Sequence, residues 1–207
     1  MLQSTRRLVI LAALASLALA GCSKLGGGGK SAVSTDDMTL GDPAAKVKMV
    51  EYASVTCPHC GRFNNDVFPA FKKKYIDTGK VHYTFREFLT EPNNVAAAGF
   101  LMARCAGKDK YFPAIDAIFH SQQEMAQTGD YHGILLRIAQ SMGMTEQAFN
   151  TCVSDETALK ALNARVDKAI NDGKINATPT FEMNGKRVKE GEMTSAELDA
   201  AVAAASK

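Results

Sequence analysis

The sequence predicts an α/β domain in which a mixed central sheet is flanked by helices and carries an inserted α-helical block. Three observations predict it: a strand–helix–strand pattern over 47–88, helical periodicity throughout 91–153, and an Asn-Gly hairpin near the C-terminus.

Val47-Lys48-Met49-Val50-Glu51-Tyr52 reads as a strand that ends in a turn at Ser54 to Cys57. Pro58 suits the first position of a helix, where its missing N–H is no loss. Phe63, Val67, Phe68, Phe71 and Tyr75 then keep helical spacing, with a kink expected at Pro69 and an end at Thr78-Gly79. Lys80 to Phe88 reads as a second strand, with Val81, Tyr83 and Phe85 alternating against His82, Thr84 and Arg86. The first strand–helix–strand unit calls for parallel strands and a right-handed crossover.

From Glu91 to Val153 the period is helical. Apolar stripes fall at Val95 to Met102, Phe112 to Phe119, Ile134 to Met142 and Phe149 to Cys152. A long helix follows with a stripe of Leu159, Leu162, Val166 and Ile170; Ser154 or Asp155 can cap its start and Gly173 can close it. Phe181 and Met183 then lead into the Asn184-Gly185 turn, Lys186 to Lys189 returns, and Thr194 with Glu197 makes a capping box for a last helix.

The N-terminus reads as an export signal. Arg6 and Arg7 precede an apolar run from Leu8 to Ala20, about the length of a signal-peptide core and too short to span a bilayer comfortably. Ala18-Leu19-Ala20 fits a signal-peptidase site. Leu19-Ala20-Gly21-Cys22 resembles a bacterial lipobox and is the preferred reading, because it gives Cys22 a role as a lipidated first residue. The expected organisation is a signal peptide over 1–21, a glycine-rich tether over 22–39, and one domain over 40–207 with its helical insertion at about 91–154. The chain is then periplasmic and tethered through Cys22, or plainly periplasmic. Its compartment lets dithiols persist as disulfides.

Composition excludes little else. The formal charge of +2 falls to 0 without Arg6 and Arg7, so no global bias toward nucleic acid or anionic lipid remains. Lys72-Lys73-Lys74 is a local basic run, read as a solvated helix end.

Cys57-Pro58-His59-Cys60 carries the chemistry. A lone C-x-x-C can be half a zinc site, a structural element or a redox pair. Zinc needs two more ligands, but His82, His120 and His132 are scattered and Cys105 and Cys152 stand singly, so no metal is expected. The position between strand and helix favours the redox reading. At a helix start the unpaired N–H groups and the macrodipole stabilise a thiolate on Cys57. Cys60, one turn in, can close a disulfide and resolve a mixed one. His59 supplies a further donor or partial positive charge near the Cys57 sulfur.

Strand–Cys-Pro-His-Cys–helix, a helical insertion and a late Thr178-Pro179 ahead of a hairpin resemble the DsbA-type disulfide oxidoreductases, whose fold is thioredoxin-like. The resemblance runs from Leu40 to the C-terminus. Leu40-Gly41-Asp42-Pro43, Phe85-Arg86-Glu87-Phe88 and Ala103-Arg104-Cys105-Ala106-Gly107 support it, while Leu89 departs from the proline often found after the second strand. A strongly depressed cysteine pKa is this family's known behaviour. The resemblance implies a cis-proline at Pro179, with Thr178 touching the active-site sulfurs and the loop offering backbone to an extended substrate. It implies that Glu51 is a buried acid that exchanges the resolving cysteine's proton, and that Cys105 and Cys152 form a structural disulfide. It further implies reduced or unfolded exported proteins as substrates, a DsbB-type membrane quinone reductase as reoxidant, a monomer, and no bound cofactor. The rivals are a reductase or isomerase using the same pair, and a binding module or chaperone in which the pair is structural.

Overall fold

The computed structural model describes residues 37–207. The expected signal peptide, Cys22 and most of the tether lie outside the described residues. Met38 and Thr39, counted above with the tether, belong instead to a short strand, β1 (Met38–Leu40).

Four further strands complete one sheet: β2 (Val47–Ala53), β3 (Val81–Glu87), β4 (Thr180–Met183) and β5 (Lys186–Glu190). Their spatial order is β1-β3-β2-β4-β5. β2 and β3 run parallel, with Glu51 level with Phe85, and every other pairing is antiparallel. β3 departs from simple alternation: His82 and Thr84 are buried as fully as Val81 and Tyr83, because structure covers both faces of this inner strand. At the hairpin, Asn184 and Gly185 both take positive φ (50° and 77°), as a tight turn matched to strand twist requires.

Between β2 and β3 the chain is helical but not uniformly α. α1 (Pro58–Arg62) passes into a π-turn at Phe63–Val67, then α2 (Phe68–Phe71), then a second π-turn at Lys72–Ile76. The expected kink at Pro69 is thus taken up by the π-turn before it. A proline that cannot donate is accommodated where the ladder already shifts register.

The insertion consists of α3 (Asn93–Cys105), α4 (Lys108–Thr128), α5 (Tyr131–Ser141) and α6 (Glu146–Val153). The side chains of Asp130 and Thr145 cap α5 and α6 by accepting from Gly133 and Ala148 N–H groups. Asp155 caps α7 (Glu156–Asn171), and the Thr194–Glu197 box opens α8 (Ser195–Ala205). One reading of α7 needs correction. Ile170 is 43% exposed and Ala169 fills the buried position instead. At 100° per residue, Ala169 lies about 20° from Leu162 around the helix and Ile170 about 80°. The helix ends just before Gly173, as expected, and Lys174, at φ 53°, makes the left-handed turn that follows. Glycine is needed at position 173 for close approach, since a Cβ there would lie 2.7 Å from the Ala169 carbonyl oxygen.

One buried carboxylate ties the insertion to the sheet. Glu87, at the end of β3, accepts from Arg104 of α3 (2.5 Å and 3.0 Å), Arg165 of α7 (2.8 Å) and the Tyr111 hydroxyl of α4 (3.2 Å).

Candidate active site

β2 ends at Ala53 and the chain turns through Ser54 to Cys57, whose N–H donates to the Ser54 carbonyl at 3.1 Å. Cys57 is the N-cap of α1, in extended conformation, and its carbonyl accepts the Gly61 N–H at 3.0 Å. The Thr56 hydroxyl fixes this turn to the loop after β3 by donating to the Thr90 carbonyl at 2.8 Å. Cys57 and Cys60 are free thiols, 6% and 0% exposed.

The two sulfurs are driven in opposite directions. The Cys57 thiol is held down to about 5: a hydrogen bond from Cys60 does most, burial opposes it, and Thr178 and the backbone N–H groups of Cys60 and His59 add to the lowering. Cys60 is pushed well above the ordinary thiol range by burial, by its hydrogen bond and charge coupling to Cys57, and by the nearby Glu51 carboxyl. Thr178 reaches the pair from the loop before β4. Its side chain favours the thiolate, its carbonyl accepts from Cys57 Sγ at 3.4 Å when that sulfur is protonated, and the Thr178–Pro179 peptide is cis. The Pro179 carbonyl is engaged by the Gly191 N–H at 2.7 Å.

Glu51 lies in β2 between Phe85 of β3 and Phe181 of β4, only 2% exposed. Burial raises its carboxyl to about 8; the Tyr83 hydroxyl, donating at 2.7 Å, pulls the other way, and charge on Cys57 pushes it up further. An acid titrating in this range can hold or release a proton near neutral pH.

The His59 ring departs from the expected arrangement. It turns outward, 61% exposed, with Nδ1 2.5 Å from Glu192 and 2.6 Å from the Arg62 guanidinium. Arg62 donates to the same Glu192 oxygen through Nε at 2.9 Å. Among the groups acting on the Cys57 sulfur, His59 contributes its backbone N–H. Pro58, at the first position of α1, is exposed.

Several contributors have no mark in the sequence. Gln122 of α4 donates to the carbonyls of Val55 (2.8 Å) and Cys57 (3.0 Å), and Tyr83 and Glu192 also act from a distance. Gln122 and Gly61 line a cleft of about 420 Å³ between α1 and α4, together with Val55, Pro58, Phe119 and Tyr131. Away from the pair, Cys105 and Cys152 are bonded at 2.09 Å and join α3 to α6. Among the described residues no group of His, Cys, Asp and Glu could hold a metal ion, and no helix is long and apolar enough to cross a membrane.

The thioredoxin family model matches residues 33–204. A Rickettsia bellii protein provisionally named a protein-disulfide oxidoreductase is 33% identical over 82% of this chain and 66% of its own length. The matches to two further Rickettsia relatives, from R. typhi and R. felis, span 56% and 55% of their lengths, so the chain spans between about half and two thirds of these relatives. The solved structure of Wolbachia pipientis alpha-DsbA1 superposes with a TM-score of 0.76 at 30% identity, over 84% of this chain and 92% of that one. Oxidised BdbD from Bacillus subtilis has the same fold, with a TM-score of 0.72 at 24% identity over 82% of this chain and 92% of its own.

Proposed function

The chain belongs to the thioredoxin family, among its DsbA-type thiol–disulfide oxidoreductases, and from that premise we propose that it is an exported dithiol oxidase acting through Cys57 and Cys60. The observation that carries this reading is the opposed bias of the two sulfurs at one helix start. A thiolate is favoured on Cys57 and a thiol on Cys60. Stabilising the reduced form in this way makes the disulfide a stronger oxidant.

In the first step a substrate thiolate attacks Cys57 Sγ of the Cys57–Cys60 disulfide. The substrate–Cys57 bond forms, the Cys57–Cys60 bond breaks, and Cys60 leaves as a thiolate that takes a proton from Glu51. A second substrate thiolate then attacks the substrate sulfur of the mixed disulfide and expels Cys57 as its favoured thiolate. The substrate loses two electrons and the pair gains them. Thr178 and the Pro179 loop flank Cys57 and receive the substrate backbone. Reduced or unfolded exported proteins are the substrates, and a DsbB-type membrane quinone reductase removes the electrons. The enzyme works as a monomer in the periplasm, lipid-anchored if Cys22 is processed as a lipoprotein cysteine. Cys105–Cys152 is structural.

The test is catalysed oxidation of a reduced, cysteine-containing substrate, with a redox titration of the pair against glutathione. Activity that Cys57→Ser abolishes, with an oxidising potential, is expected. Unchanged activity in Cys57→Ser rejects the mechanism, and a strongly reducing potential reassigns the chain as a reductase.

A further inference from the structure

Glycine inside a helix costs roughly 1 kcal/mol relative to alanine, so a helical glycine needs a reason. Gly61, immediately after Cys60, is buried, and it does not need a positive φ. Its reason lies in the insertion. A Cβ at position 61 would come within 2.1 Å of Gln122 Oε1 and 2.8 Å of Gln122 Cδ. The side-chain amide of Gln122 occupies that space, and from there its Nε2 donates to the carbonyls of Val55 and Cys57. One amide therefore holds two carbonyls of the turn that delivers Cys57 to the helix, the second across 65 residues of sequence. The Cys57 carbonyl already accepts the Gly61 N–H, so it takes two bonds that together fix the plane of the Cys57–Pro58 peptide.

Resting on the assignment of Cys57 and Cys60 as the redox pair, we infer that Gln122 is a positioning residue for that pair and that Gly61 is glycine to admit it. The clamp holds the turn so that the N–H groups of His59 and Cys60 converge on the Cys57 sulfur. Those two N–H groups are among the contacts that favour the thiolate. A turn free to rotate by a few tens of degrees would weaken hydrogen bonds whose strength falls steeply with angle. The helical insertion, through α4, thereby tunes the chemistry of a cysteine in the sheet domain.

The test is a titration of Cys57 by thiolate absorbance in the full reduced protein, with the glutathione equilibrium as a second readout. Gln122→Leu keeps the bulk and removes both donors, and Gly61→Ala displaces the amide from the other side. Each is expected to raise the Cys57 pKa by about one unit, a tenfold change in the thiolate–thiol ratio, and to make the pair less oxidising. The double variant should show no more than either single change, because both break one clamp. Wild-type titration and equilibrium in both folded variants overturn the inference, whatever their thermal stability, and so does full additivity. If Cys57→Ser abolishes oxidation while these variants titrate as wild type, the clamp fails and the redox assignment stands.

Discussion

Tyr83 donates its hydroxyl to Glu51 at 2.7 Å across the parallel strands β3 and β2, inside a core that admits almost no water to either side chain. That bond favours the carboxylate, yet burial wins and the acid still titrates near 8. Cys57 moves oppositely, to about 5. The site therefore holds two ionisable groups whose folding linkages have opposite sign.

Glu51, ordinarily near 4.5, holds its proton in the folded state up to about 8, so its contribution to stability is full below 4.5 and is lost as pH rises to 8. Cys57, ordinarily near 9 and about 5 when folded, contributes stability that is full above 9 and lost as pH falls toward 5. Each slope approaches about 1.4 kcal/mol per pH unit inside its window, so in the reduced protein the two largely cancel between pH 5 and 8. Urea denaturation in reductant should show Glu51→Gln gaining stability with pH, relative to wild type, and Cys57→Ser losing it. His82 adds a rise below 6.5 common to all three proteins, since burial, then Lys48, lowers it. Parallel curves for the three would reject the opposed linkage.

At pH 7 the same bias separates the two thiols kinetically. Iodoacetamide should label Cys57 with a rate whose midpoint lies near pH 5, while Cys60 stays unmodified in the native state. Mass spectrometry after quenching reads both sites, and a Cys57 midpoint near 8.5 would contradict the assigned thiolate.

Replacing both Cys105 and Cys152 by serine opens a loop of 47 residues. The chain-entropy model assigns that closure about 4 kcal/mol, so denaturation should detect a loss of that order. Cys57 should titrate as before, because the bond joins α3 to α6, outside the turn that holds the pair. In the untreated protein, rapid alkylation of both cysteines would exclude the bond.

Glu87 is the shared acceptor of Arg104, Arg165 and Tyr111. Glu87→Gln keeps the shape but leaves two guanidiniums facing a neutral amide, at a cost of roughly 3 kcal/mol for so buried a carboxylate. A thermal midpoint within 2 °C of wild type would show the cluster to be energetically idle.

The sequence carries the strands, the helix start and the hairpin because each depends on residues near one another in the chain. Pro58 and the apolar residues of 47–52 announce the turn that presents Cys57, and Asn184-Gly185 announces the last hairpin. Ile170 leaves the buried face because two successive steps of four residues advance about 80° around a helix of 3.6 residues per turn, and a small residue, Ala169, sits nearer that face. β1 escaped because three residues hold no period. Gln122 is invisible for a deeper reason. Its partners are backbone carbonyls, which every residue has, and nothing in a linear sequence distinguishes those of Val55 and Cys57. Likewise the orientation of the His59 ring is decided by Glu192, 133 positions away.

The outer strands of the sheet bear on how other chains can approach. β1 is three residues long, and β5 carries Lys186, Arg187, Lys189 and a register shift opposite Phe181 and Glu182. Short, charged or irregular edges discourage strand addition. Under the proposed function, a client polypeptide therefore finds little backbone to pair with alongside and reaches Cys57 over the strand ends, where the turn and the Thr178 loop meet. Under the proposed role as an oxidase, a shallow end-on encounter limits the residence of each client to the sulfur exchange itself.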